Sequence, residues 1–175
     1  MINIKKISLL MILFFIILLF SGCTQNNVIT KDYKWHLAMD LKNVYASYGI
    51  RAYPTSVIID INGKVIKFLE GMHYKEDLQP FIEQAVDGSA TNFADSVDFN
   101  LVTLNEEEFT LSDQIGKAVL IDFMYKDCPH CVTQMPELKK IKQEFGDDLV
   151  IISIDVNLND KRLDIIDKYG AYIIY

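Results

Sequence analysis

Two cysteines three positions apart, Cys128 and Cys131, stand where an apolar run gives way to a helical repeat, and that junction limits the fold more than any other feature of the chain. Residues 118–123, Ala-Val-Leu-Ile-Asp-Phe, read as a buried central strand interrupted only by Asp122. Beyond Cys128, the residues Val132, Met135, Leu138, Ile141 and Phe145 recur at helical spacing. A helix that starts on a Cys-x-x-Cys pair brings its two sulfurs within bonding reach, and the free N–H groups of its first turn favour a thiolate on the first of them. Cys128 is therefore the expected nucleophile. Cys131, one turn further in and expected to be less exposed, is the resolving thiol. Pro129 suits the first helical position, having no N–H to leave unpaired and a preset φ. His130, lying between the sulfurs, would stabilise the thiolate and make the pair more oxidising.

The start of the chain needs separate treatment. Lys5 and Lys6 precede an uncharged apolar run over residues 7–20, followed by Ser21-Gly22-Cys23. That is the layout of a signal peptide over residues 1–22, and the run is short for a membrane-spanning helix. Phe-Ser-Gly-Cys resembles a lipobox, which implies lipidation of Cys23, a polar tether over residues 23–32 and a protein on the extracytoplasmic face of the cell membrane. Without the two leader lysines, fifteen basic residues face twenty-four acidic ones, a net charge of −9. Such a chain repels nucleic acid and anionic headgroups, so the anchor alone accounts for membrane attachment. With Cys23 assigned to lipid, one close pair of cysteines remains, which excludes a disulfide-stapled scaffold. No second Cys-x-x-Cys exists and His36 and His73 stand alone, so no metal site and no cofactor are expected.

Along the rest of the chain, Leu37, Leu41, Val44, Tyr45 and Tyr48 fall at helical spacing, with Gly49 as a stop. Residues 55–61 and 64–69 form two β-type runs around Asn62-Gly63, a strong hairpin signal. Leu78, Phe81, Ile82, Ala85 and Val86 give an amphipathic helix over residues 75–86. Small and polar residues from Asp87 to Asp95 form the best internal linker. Residues 99–104 and 108–111 read as a short hairpin, 149–154 as a second buried strand, and 160–169 as a helix that stops at Gly170.

Val119-Leu-Ile-Asp-Phe-Met-Tyr-Lys-Asp-Cys-Pro-His-Cys131 resembles the active-site strand and helix of the thioredoxin superfamily, and the Cys-Pro-His-Cys core resembles that of the DsbA-type oxidants. Phe99-Asn-Leu-Val-Thr-Leu104, Phe109-Thr-Leu-Ser-Asp113 and Gly116-Lys117 resemble the lead-in hairpin of TlpA/ResA-like membrane-tethered members. The resemblance implies an α/β thioredoxin-like fold, a central mixed sheet flanked by helices. It also implies a thiol:disulfide oxidoreductase in which Asp122 is the buried acid that moves protons to and from the resolving thiol. Pro136 matches the proline inside the family's active-site helix. Asp127 and Met124 depart from the family pattern, and a carboxylate at Asp127 opposes thiolate formation. Tyr48-Gly-Ile-Arg-Ala-Tyr-Pro-Thr-Ser56 resembles the family's cis-proline loop, which implies a cis bond before Pro54 and substrate docking by Tyr53, Pro54 and Thr55. The implied partners are protein thiols and disulfides and a membrane electron partner. Copper binding through the two thiolates, as in electron-transfer relatives of the fold, is the alternative use of the same sulfurs.

In this chain the cis-proline half, residues 33–86, precedes the cysteine half, residues 99–175, with residues 87–98 between them. Each element occurs once. The order fits a circularly permuted fold in which 33–175 form one composite domain. It also fits two truncated tandem domains, which could exchange halves between chains or be a redox-inert remnant.

Overall fold

The computed structural model describes residues 35–91 and 94–173. The expected signal peptide, Cys23 and the tether lie outside the described residues. Strands β1 (Trp35–Met39), β2 (Thr55–Ile59), β3 (Lys64–Glu70), β4 (Ala94–Asp95), β7 (Ala118–Met124) and β8 (Leu149–Asp155) form one sheet in the order β1-β8-β7-β2-β3-β4. A separate hairpin consists of β5 (Asn100–Val102) and β6 (Glu108–Thr110). The helices are α1 (Val44–Ser47), α2 (Lys75–Asp87), α3 (Pro129–Phe145) and α4 (Arg162–Ile173). Strand β7 pairs parallel with β8 and antiparallel with β2, so the strand that leads to the cysteines lies inside the sheet. This mixed sheet flanked by helices is a thioredoxin-like α/β fold.

Alternation along β7 sorts its side chains to two cores. Leu120 and Met124 join Ile58, Ile151, Leu78, Ile82, Met135, Leu138, Ile141, Ile165 and Tyr169 on the face covered by α2, α3 and α4. Val119, Ile121 and Phe123 join Val57, Ile59, Ile152, Ile154, Val44, Tyr48, Phe99 and Phe109 on the face covered by α1 and the hairpin. Asp122 shares the first face, beneath the helix that carries both cysteines.

Two expectations need correction. Residues 37–48 are not one helix: Trp35–Met39 is an edge strand parallel to β8, and only Val44–Ser47 is helical. Asp40 divides them, its carboxylate accepting hydrogen bonds from the N–H groups of Val44 at 2.7 Å and Tyr45 at 2.8 Å. Apolar residues from a strand and from a short helix together imitated one helical stripe. At the other end, α4 continues through Gly170 to Ile173. The linker also holds structure, since Ala94–Asp95 pairs with Val65 and Lys64 on the outer side of β3. At the opposite side of the sheet, β1 is met by an Ala38–Thr103 bridge and by the Leu104 N–H, which donates to the Leu37 carbonyl at 2.6 Å.

Ile121 is 0% exposed at the centre of the sheet. Ile121→Ala should destabilise the fold by about 2–5 kcal/mol, read from the midpoint of chemical denaturation.

Candidate active site

Cys128 and Cys131 form a disulfide with a Cα–Cα distance of 5.2 Å. Cys128 is the N-cap of α3, and its Sγ accepts the Cys131 N–H at 3.1 Å, the contact that would hold a thiolate once the bond is reduced. Pro129 occupies the first turn, and both it and His130 are exposed. The expected difference in exposure between the sulfurs is absent. Both residues are 2% exposed, because Cys128 packs into the helix-side core rather than standing at its rim. Pro136 lies inside α3, where its missing N–H leaves the Val132 carbonyl without its helical donor.

The Tyr53–Pro54 peptide is cis. Tyr53 packs against the core cluster that contains both cysteines and meets Tyr125 edge-on, with ring centroids 5.8 Å apart. Gly71 donates its N–H to the Pro54 carbonyl at 2.8 Å, and the Thr55 hydroxyl donates to the Ala52 carbonyl at 2.8 Å. The cis-proline segment and the cysteine segment, far apart in the chain, thus pack on one core cluster and meet where Tyr53 contacts Tyr125.

Asp122 is 2% exposed and accepts two hydrogen bonds, from Gln134 Nε2 at 3.1 Å and from the Ser153 hydroxyl at 3.0 Å. Ser56, Asp122 and Ser153 stand in register on neighbouring strands, a polar row across an otherwise apolar sheet. Gln134 donates its second N–H to the Ser56 hydroxyl at 3.2 Å and accepts the His73 backbone N–H at 3.0 Å. Trp35 Nε1 donates to the Ser153 hydroxyl at 3.0 Å. The His73 N–H fixes the amide orientation, because a flipped Gln134 would set N–H against N–H and oxygen against carboxylate. Burial pushes the Asp122 carboxyl up to about 7, with the bonds from Ser153 and Gln134 opposing the rise. Asp122 therefore exchanges its proton near neutrality, in the range where thiol chemistry runs. Gln134, Ser56, Ser153 and Trp35 were not among the residues expected at the site. Ser56 and Ser153 could have been suspected as lone polar residues inside apolar strands.

Asp127 does not stand alone beside Cys128. Its carboxylate pairs with Lys126 at 3.1 Å and Lys168 at 3.2 Å, and these hydrogen bonds hold it below the usual carboxylate range. The two ammonium groups offset the charge that would otherwise disfavour a thiolate. His36 and His73 are far from forming a ligand set, and among the described residues no group of three or more His, Cys, Asp or Glu side chains could hold a metal ion. Among the described residues no helix is long and apolar enough to cross a membrane.

A buried disulfide at a helix start, a cis-proline loop whose Tyr53 packs on the same core cluster, and a buried acid bonded to Gln134 of the cysteine helix compose a candidate thioredoxin-like dithiol site. A sequence model of the AhpC/TSA family matches residues 94–174. The chain is 34% identical over 64 residues to the thioredoxin-like protein YneN of Bacillus subtilis (strain 168), covering 37% of this chain and 38% of the relative. It is 35% identical over 78 residues to the thiol-disulfide oxidoreductase ResA of Halalkalibacterium halodurans, covering 43% and 44%. To the probable protein disulfide-isomerase A6 of Medicago sativa it is 30% identical over 133 residues, covering 74% and 35%. No solved structure matches the chain. The chain belongs to the thioredoxin superfamily, among its TlpA/ResA-like members. It spans less than half the length of these relatives.

Folding raises the proton affinity of Asp122 from an ordinary 3.8 to about 7. Between those values the folded chain keeps a proton that the unfolded chain has lost, so this group makes stability fall as pH rises through that window. Asp122→Asn should therefore stabilise the protein at pH 8, by up to about 4 kcal/mol, and leave it nearly unchanged at pH 3.5, as measured by denaturant titration at the two pH values.

Proposed function

We propose that this protein is a thiol:disulfide oxidoreductase acting on protein thiols and disulfides. The observation that carries the reading is the Cys128–Cys131 disulfide at the start of α3, placed over a buried acid that titrates near neutrality. In the oxidising direction a substrate thiolate attacks Cys128 Sγ, the Cys128–Cys131 bond breaks, and Cys131 leaves as a thiolate that takes the proton held by Asp122. A second substrate thiolate then attacks its own sulfur in the mixed disulfide and releases Cys128 as a thiolate stabilised by the Cys131 N–H. The substrate ends as a disulfide and the protein as a dithiol. The reverse sequence reduces a substrate disulfide. Tyr53, Pro54 and Thr55 dock the extended substrate beside the sulfurs, and His130 and Pro129 set how strongly the thiolate is held.

The location follows from the leader. The basic start, the short apolar run and Cys23 support a lipid-anchored protein on the extracytoplasmic face of the membrane, re-oxidised or re-reduced by a membrane thiol partner. The sheet supports a composite domain over residues 33–175, in which the cis-proline half and the cysteine half complete one another in permuted order. One observation favours a second arrangement. An alignment covering 74% of this 175-residue chain takes in both Tyr53-Pro54 and Cys128, so the Medicago sativa relative runs through both segments in this order. Consecutive thioredoxin-like units would present the same order where one ends and the next begins.

Insulin reduction by dithiothreitol tests the activity. Cys128→Ala should lose all catalysis, and Cys131→Ala should accumulate a mixed disulfide with substrate; a Cys128→Ala protein as active as the parent defeats the reading. Cleavage at a protease site inserted at Ser89 tests the composite domain. The two fragments should co-elute at the monomer mass and separate only in denaturant, whereas fragments that part on cutting, or a parent that is a dimer, defeat it.

A further inference from the structure

The turn between β7 and Cys128 is gripped from the far end of the cysteine segment. Asp160 Oδ2 accepts the Lys126 N–H at 3.1 Å, and the Tyr169 hydroxyl donates to the Lys126 carbonyl at 2.8 Å. Lys168, the neighbour of Tyr169, pairs with Asp127. Inside the turn, the Cys128 N–H donates to the Tyr125 carbonyl at 3.2 Å. Both backbone groups of one residue, two positions before Cys128, are thus bound to side chains of α4 and the turn that precedes it.

We propose that Tyr169 and Asp160 are positioning residues for Cys128: by holding Lys126 at both its N–H and its carbonyl they fix the turn that aims the Cys128 sulfur at the Cys131 N–H. The proposal rests on the reading above only in taking Cys128 as the reacting sulfur. Tyr169 is 0% exposed, so its ring anchors in the helix-side core and only the hydroxyl reaches the turn. The hydroxyl remains a donor through the neutral range, because burial and the nearby Asp122, Asp155, Asp127 and Asp160 all disfavour its ionisation. Asp155 shares the Asp160 corner. Its Oδ2 is buried without a hydrogen-bond partner, and burial together with Asp160 pushes its carboxyl up to about 7.

The test is the pH midpoint of Cys128 alkylation by iodoacetamide, followed by peptide mass spectrometry in the reduced full-length chain carrying Cys131→Ala, which keeps the backbone N–H. Tyr169→Phe removes one hydroxyl and Asp160→Ala one acceptor. Each should raise the midpoint by about half a pH unit or more, as the thiolate loses its aligned donor. Asp160→Asn keeps an oxygen for the Lys126 N–H and should stay within about 0.2 units of the parent. Midpoints that coincide in all variants overturn the proposal, and so does an Asp160→Asn shift as large as that of Asp160→Ala, which would mean that charge rather than grip is responsible. Should Tyr169→Phe fail to fold, the Asp160 pair decides. A chain inert towards insulin whose midpoints still shift would refute the oxidoreductase reading and leave this one standing.

Discussion

The carboxyl of Asp122 is the constraint around which the site is arranged. A carboxylate sealed in an apolar sheet is costly unless it is given donors or a proton, and this fold supplies both. Gln134 and the Ser153 hydroxyl bond it directly, Trp35 supports Ser153, and Ser56 and the His73 N–H orient Gln134. Trp35, Ser56 and His73 come from the cis-proline segment; Asp122, Gln134 and Ser153 come from the cysteine segment. The bonds to the acid itself stay within the cysteine segment, while the bonds that hold its two donors in place join the two parts of the chain. If the segments separated, Gln134 would lose its anchor at His73 and Asp122 would keep only partners whose own partners had left.

The register makes this economical. Ser56, Asp122 and Ser153 meet side by side because each lies on the helix-facing side of its strand, while their neighbours Val57, Ile121 and Ile152 face the hairpin. Moving any one strand by a single residue would turn its polar group into the opposite core and bring an apolar side chain to the acid. The polar row thus favours one pairing of β2, β7 and β8 over its nearest alternatives.

Local patterns made much of this legible. The Asn62-Gly63 hairpin, the helix that begins at Pro129 and the strand on either side of Asp122 follow from residue type and spacing over short stretches, and the cis bond before Pro54 from the resemblance of its loop to the family's cis-proline loop. Long-range register was not legible. Nothing near Gln134 in the chain shows that its amide would lie between Asp122 and Ser56, and nothing near Asp160 or Tyr169 points to Lys126. Residues 37–48 misled for a different reason: a strand whose partner is β8, more than a hundred residues away, was read from its own spacing alone, and the helix signal of Val44, Tyr45 and Tyr48 was extended back over it. Gly170 weakens a helix locally, yet Ile165 and Tyr169 are anchored in the core and the helix continues past it.

The two outer strands of the sheet carry a further consequence. Ala94–Asp95 lies along β3, with Lys64 and Asp95 also joined through their charges, and Thr103-Leu104 caps β1. Bare strand margins are templates on which other chains can add and on which ordered aggregates can grow. Covering both margins, even with segments only two residues long, leaves fewer backbone groups for such growth. That protection has particular value for a chain whose edge strand is as apolar as Trp35–Met39.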